Sequence, residues 1–118
     1  MDFALTPQQE TLRTEVRELC SRFPNEYWRR LDRERVYPEE FVTALTRSGY
    51  LAALIPQAYG GLGFGVTEAS VVLEEINRSG GHSAACHAQA YIMGALVRTV
   101  HGFDALLVLT GSTASALL

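Results

Sequence analysis

The sequence predicts an all-α fold, an orthogonal or up-down bundle of about four to six helices with one glycine-rich loop. Two observations carry this. Apolar residues recur at helical spacing in separate stretches bracketed by helix-start and helix-stop residues, beginning with Leu12, Val16, Leu19 and Phe23. Between two such stretches lies Leu54-Ile55-Pro56-Gln57-Ala58-Tyr59-Gly60-Gly61-Leu62-Gly63-Phe64-Gly65, where four glycines fall within six positions and Pro56 removes a backbone donor. A plain linker has no use for Ile55, Tyr59, Leu62 and Phe64, so this loop is shaped to fit something.

Thr6-Pro7-Gln8-Gln9 opens the first helix, with an N-cap threonine, a proline at the first helical position and a glutamine placed to close a capping box. Its apolar stripe faces a core, Glu18 and Arg22 lie on the wet side, and Pro24 ends it. Asn25 to Arg35 is dense in charge and anchored by Tyr27, Trp28 and Leu31, which predicts a short, mostly exposed amphipathic helix. Pro38 opens the next helix, Phe41, Val42 and Leu45 form its inner face, and Gly49 supplies a left-handed cap. Tyr50 to Ile55 is too short and too rich in alanine to read as a strand. After the glycine loop Thr67 is a natural N-cap, Ala69, Val72, Leu73 and Ile76 make the next stripe, and Gly80-Gly81 ends it. A last helix runs from about Ser83 to Val100, with Cys86, Gln89, Ala90, Met93 and Val97 on one face and small residues nearby.

At 118 residues and 47% hydrophobic content the chain builds one domain. The net charge is -3, and all ten basic residues are arginines interleaved with carboxylates, which argues against nucleic acid as a partner. No apolar run approaches the roughly 20 residues of a bilayer span, and Met1-Asp2-Phe3 opens no secretory leader. With only Cys20 and Cys86, far apart in sequence, the expectation is a cytoplasmic protein with reduced thiols.

Local chemistry is sparse. Glu74 and Glu75 are adjacent on a helix and so about 100° apart, unable to converge on one proton. Glu74 reads as a surface or inter-helix hydrogen-bonding group with Arg78 at i+4. His82 and Cys86 are i,i+4 while His87 turns away, giving two convergent ligands where zinc wants three or four. Cys86 and His87 diverge as a nucleophile and base would not. Gly61-Leu62-Gly63-Phe64-Gly65 is not G-x-G-x-x-G, and no acidic residue stands about 20 positions further on, so the dinucleotide fingerprint fails.

The succession Leu5-Thr6-Pro7-Gln8-Gln9, Asp32 to Tyr37-Pro38, Ser48-Gly49, Ile55-Pro56 to Tyr59-Gly60-Gly61-Leu62-Gly63, Glu74-Glu75-Ile76-Asn77-Arg78 and His101-Gly102 resembles the N-terminal helical domain of acyl-CoA dehydrogenases. The resemblance covers residues 2–102, and His87-Ala88-Gln89 ahead of Met93-Gly94 points to one branch of that family. It implies FAD-dependent α,β-dehydrogenation of an acyl-CoA thioester, a glutamate taking the α-proton, the β-hydride going to flavin and electrons leaving to an electron-transfer flavoprotein. In the family the catalytic glutamate usually comes from a C-terminal bundle. Most flavin contacts come from that bundle, a middle β-domain and a neighbouring subunit. The resemblance therefore assigns no catalytic residue and no bound FAD to this chain alone.

It does imply a pocket wall. Carried back from His101-Gly102, the family's last N-terminal-domain helix places Cys86, Gln89, Ala90 and Met93 at the far end of the acyl cavity. The plainer reading is that these four are core, and Gln89 discriminates, because an amide in an apolar core needs a partner for each polar atom. In the family the glycine loop packs this domain against its neighbours, and without them Tyr59, Leu62 and Phe64 are expected to be partly stranded.

From Phe103 the resemblance stops, and residues 103–118 form an apolar tail with no charge after Asp104. A reading-frame change produces such a switch, as does a natural or engineered short form. Three functions follow: a dehydrogenase N-terminal domain inactive alone, a helical interaction module docking on a partner chain, and a small bundle holding a hydrophobic ligand. Apolar surface left open implies self-association or a covering partner chain.

Overall fold

The first helix begins where its capping chemistry says it should. The Thr6 hydroxyl accepts from the Gln9 N–H at 3.2 Å, and the Gln9 side-chain oxygen accepts from the Thr6 N–H at 2.9 Å. A computed structural model describes residues 3–82 and Cys86, arranged as α1 (Pro7–Ser21), α2 (Asn25–Glu34), α3 (Glu39–Arg47) and α4 (Val66–Arg78). Two 3-10 turns, Tyr50–Ala52 and Gln57–Tyr59, lie between α3 and α4. There is no strand among the described residues, and the fold is all-α. None of the described helices is long and apolar enough to cross a membrane.

α1 buries Leu12, Val16, Leu19 and Cys20 and stops at Ser21, short of Pro24. Phe23 is buried as the stripe requires, but from the turn beyond the helix, where its N–H meets the Cys20 carbonyl at 3.0 Å. Pro24 caps α2 instead. That helix buries no residue fully, as its charge density predicts. An aromatic cluster holds it down: Phe23, Tyr27, Trp28 and Phe41 meet edge to face at centroid distances of 4.8–5.3 Å. The Trp28 indole N–H donates to the Phe23 carbonyl at 3.1 Å. α2 ends at Arg35, whose left-handed φ of 54° is an unusual place for a side chain.

α3 buries Phe41, Val42 and Leu45, and Gly49 follows it with φ 79°, the left-handed cap its sequence implies. The chain then folds the glycine loop onto itself. Leu62 N–H donates to the Ala52 carbonyl at 3.1 Å, Gly63 to Ile55 at 2.8 Å and Phe64 to Ala53 at 2.8 Å. A Cβ on Gly61 would sit 2.0 Å from the Ile55 carbonyl oxygen, so no side chain fits there. Leu62 and Phe64 are half-buried against the domain's own core, and only Tyr59 stands out in solvent. The three were expected to be partly stranded; Tyr59 is exposed, and these backbone bonds leave Leu62 and Phe64 half-buried.

α4 starts one residue after Gly65 and not at Thr67, which lies inside the helix; no side chain caps this end. Ala69, Val72 and Ile76 are buried as the stripe predicts, with Leu73 half-buried, and Val71 and Glu75 join them. α1 and α4 are the principal helix pair. Gln9 bonds to Glu68 and Arg17 to Glu75, so residue numbers rise together and the two helices run parallel. Parallel helices need a return path, and α2, α3 and the glycine loop are that path. The helix expected over 83–100 lies outside the described residues apart from Cys86, as does the tail.

Two substitutions test this backbone reading by urea denaturation. Gly61→Ala is expected to lower unfolding free energy by about 1–3 kcal/mol, through the clash with Ile55. Arg35→Gly is expected to raise it by up to about 1 kcal/mol, by relieving the left-handed strain; a loss of stability there would show that φ carries no cost.

Candidate functional site

Cys86 is buried, and it lines an apolar cleft of ≈ 800 Å³ together with Trp28, Tyr37, Phe41, Val42 and Gly81. The α2–α3 connection leaves its side of this cleft open, with Val36 52% and Tyr37 51% exposed. Burial pushes the Cys86 thiol up to about 11, the nearby Cys20 adding to the effect. A thiol held neutral this way is an apolar contact and not a nucleophile. His82 lies on the same rim and is exposed. Gln89, Ala90 and Met93, the other three expected wall residues, and His87 lie outside the described residues.

The main polar cluster is built on Glu75, to which the sequence reading gave no such role. Glu75, 4% exposed, accepts a two-pronged bond from Arg17, at 2.8 Å from Nη2 and 3.1 Å from Nε. Arg13 Nε and Arg78 Nη1 approach the same carboxylate at 3.7 and 3.8 Å. Glu74 stays on the surface, 67% exposed and 3.8 Å from Arg13, while Arg78 pairs with Glu75 at i,i+3 and not with Glu74 at i+4. The hydrogen bonds from Arg17, opposed by burial and helped by all three positive charges, hold the Glu75 carboxyl below its ordinary range. Glu68 is lowered too, chiefly by the Gln9 side chain, which donates to it at 3.0 Å.

These engagements bear on what the domain can hold. The N–H groups of Gly61, Leu62, Gly63 and Phe64 all point at chain carbonyls, so these four donors are engaged within the loop and its preceding segment. Arg17 lines a cleft of ≈ 430 Å³ but is committed to Glu75. Among the described residues no group of three His, Cys, Asp or Glu is placed to hold a metal ion.

Residues 6–104 match the family model described as the acyl-CoA dehydrogenase N-terminal domain. The chain belongs to the acyl-CoA dehydrogenase family. Among curated relatives, the probable acyl-CoA dehydrogenase YdiO of Escherichia coli K12 is 37% identical over 81 residues, 68% of this chain and 21% of the relative. The YdiO proteins of Escherichia coli O6:H1 and O157:H7 match with the same identity and coverage. The chain thus spans about a fifth of the length of these dehydrogenases. No solved structure matches it.

Within this acyl-CoA dehydrogenase domain, Glu75 and the Gln9–Glu68 bond are what sequence reading missed. The signal for Glu75 was present: it falls three residues after Val72 and beside Ile76, so a carboxylate borders the buried stripe, while Arg13 and Arg17 share one face of α1. Nothing in the sequence placed α1 and α4 side by side.

A carboxyl whose pKa is lowered by folding adds stability that is complete above its ordinary value of 4.5 and disappears as pH falls through the lower folded value. Glu75→Gln is expected to cost about 1–3 kcal/mol at neutral pH and to flatten the acid limb of stability against pH. Denaturant midpoints across a pH series read both effects; an acid limb unchanged by the substitution would remove Glu75 from the linkage.

Proposed function

We propose that this chain acts as the N-terminal helical domain of an FAD-dependent acyl-CoA dehydrogenase, an enzyme that introduces an α,β double bond into an acyl-CoA thioester. The observation that carries the reading is the family match across residues 6–104. In this reading Cys86, Gln89, Ala90 and Met93 form the wall at the distal end of the acyl chain, with electron-transfer flavoprotein as the electron acceptor. Support for the wall is local: Cys86 is buried, its thiol stays neutral, and the cleft it lines is walled by Trp28, Phe41 and Val42. An acyl tail needs such a surface, because each buried methylene contributes about 0.8 kcal/mol and nothing polar is required of the wall.

The base and the flavin contacts lie, in this reading, on the other domains of the assembled enzyme. The contribution of these residues is shape. They exclude water from the end of the chain and set how long a chain fits. The arginine and glutamine ties between α1 and α4 hold the scaffold that presents them.

The purified chain alone is expected to be colourless and inactive. Co-expressed with the middle and C-terminal domains of the YdiO protein, it is expected to give a complex in which an acyl-CoA bleaches the flavin absorbance. Met93→Trp in that complex is expected to lower kcat/KM for long acyl chains about 10–100-fold while leaving short chains little changed. A flavin-loaded complex that no acyl-CoA reduces would sink the dehydrogenase reading; an equal loss at every chain length would sink the wall.

A further inference from the structure

The Cys86 cleft is divided between an apolar interior and a charged mouth. Phe41, Val42 and Cys86 are buried along its floor, and Trp28 and Leu31 line it half-buried. Its charged lining is exposed: Arg29 and Asp32 on α2 and Arg35 at the α2 cap. Trp28, Leu31, Asp32 and Arg35 fall at i, i+3, i+4 and i+7, so one face of α2 supplies both regions. From Trp28 to Arg35 that face runs about 10 Å, the length of roughly eight methylenes.

The mouth is net positive. Asp32 stands one turn from both Arg29 and Arg35 and offsets one of them, which leaves the other unmatched within the cleft. No ion pair among the described residues engages either arginine. The carboxylates Glu34, Glu39 and Glu40 line the neighbouring α2–α3 cleft, which meets this one at Leu31 and Val36.

Arg35 is held at the mouth under strain. Its backbone closes α2 in the left-handed region at φ 54°, with the Val36 N–H donating to the Leu31 carbonyl at 3.0 Å. Glycine makes this cap without a steric penalty, whereas a Cβ is crowded there. What the strain retains is a guanidinium at the open end of an apolar cleft, beside Val36 and Tyr37, which stand half in solvent. The complementary molecule is an alkyl chain that ends in an anion. A carboxylate suits a guanidinium well, since two oxygens meet two N–H groups. An amine-headed chain meets repulsion at the same place, and an alcohol gains nothing from the charge.

We propose that this cleft binds the anion of a medium-chain fatty acid, its chain against Trp28, Phe41, Val42 and Cys86 and its carboxylate on Arg35. The inference rests on the acyl-chain reading of the Cys86 surface given above and adds the charged end to that chain.

The test uses the full 118-residue chain, whose one tryptophan, Trp28, lines the cleft and reports on it by fluorescence. Decanoate is expected to shift Trp28 emission saturably to shorter wavelength, at concentrations below those that form micelles. Decylammonium is expected to bind about tenfold more weakly or less. Arg35→Gly is expected to weaken decanoate about three- to tenfold and to leave decanol unchanged. That variant is also the one expected to be more stable, so its loss of decanoate is no unfolding effect. Every affinity is read on the chain alone, so a failure here leaves flavin reduction in the assembled enzyme untouched, and the reverse holds as well. Emission that decanoate does not move, as a cleft covered by another segment, another domain or a second copy predicts, would overturn the proposal. So would decylammonium binding as tightly as decanoate, decanoate indifferent to Arg35→Gly, or an equal loss of decanol in that variant.

Discussion

The parallel pairing of α1 with α4 is the constraint on which the rest of this domain depends. Two helices running the same way cannot be joined by a short turn, so the 44 residues between Ser21 and Val66 must carry the chain back along their length. α2, α3 and the glycine loop are built to that requirement. The pairing itself is tied near both ends, by Gln9 on Glu68 and by Arg17 on Glu75, with Val16, Leu19, Val72 and Ile76 buried in the same core. Gln9 serves twice, closing the capping box with its oxygen and reaching α4 with its nitrogen. Helix initiation and helix packing are therefore coupled through one side chain.

Burying Glu75 carries a desolvation cost that an isolated carboxylate would not survive in ionised form. Three arginines from two helices offset it, only one of them in full hydrogen-bonding geometry. The arrangement keeps the outer seam of the α1–α4 pair polar and ordered while the inner seam stays apolar. It also separates two surfaces by chemistry: a charge-neutralised seam on one side, and the cleft around Cys86, Phe41 and Val42 on the other.

The glycine loop shows how a feature that suggests ligand binding resolves into architecture. Its glycines let four consecutive N–H groups turn back on the preceding segment, and Gly61 in particular passes against Ile55 where a methyl group has no room. The same turn carries Leu62 onto the back of Gly49, so the end of α3 and the loop are fitted to each other. Family membership and fold agree on the class of the domain: an all-α block of the acyl-CoA dehydrogenase N-terminal type.

By itself the sequence determined the helices, because capping residues, proline and glycine positions and the 3.6-residue stripe are local properties written into consecutive residues. Thr6 to Gln9, Phe41-Val42-Leu45 and the Gly49 cap are all legible in this way, as is the family from the order of its motifs. Where α1 stops and where α4 starts were read a residue or two wrongly, since Phe23 and Thr67 satisfy the helical pattern without having to obey it. Tertiary structure alone decided which glutamate is buried. Glu74 and Glu75 are chemically identical neighbours, and only the position of Arg13 and Arg17 on a helix some 58 residues away makes one a core group and the other a surface one. The inward turn of Leu62 and Phe64 and the convergence of Cys86 with Trp28 and Phe41 are of the same kind: contacts between distant segments, which no local pattern encodes.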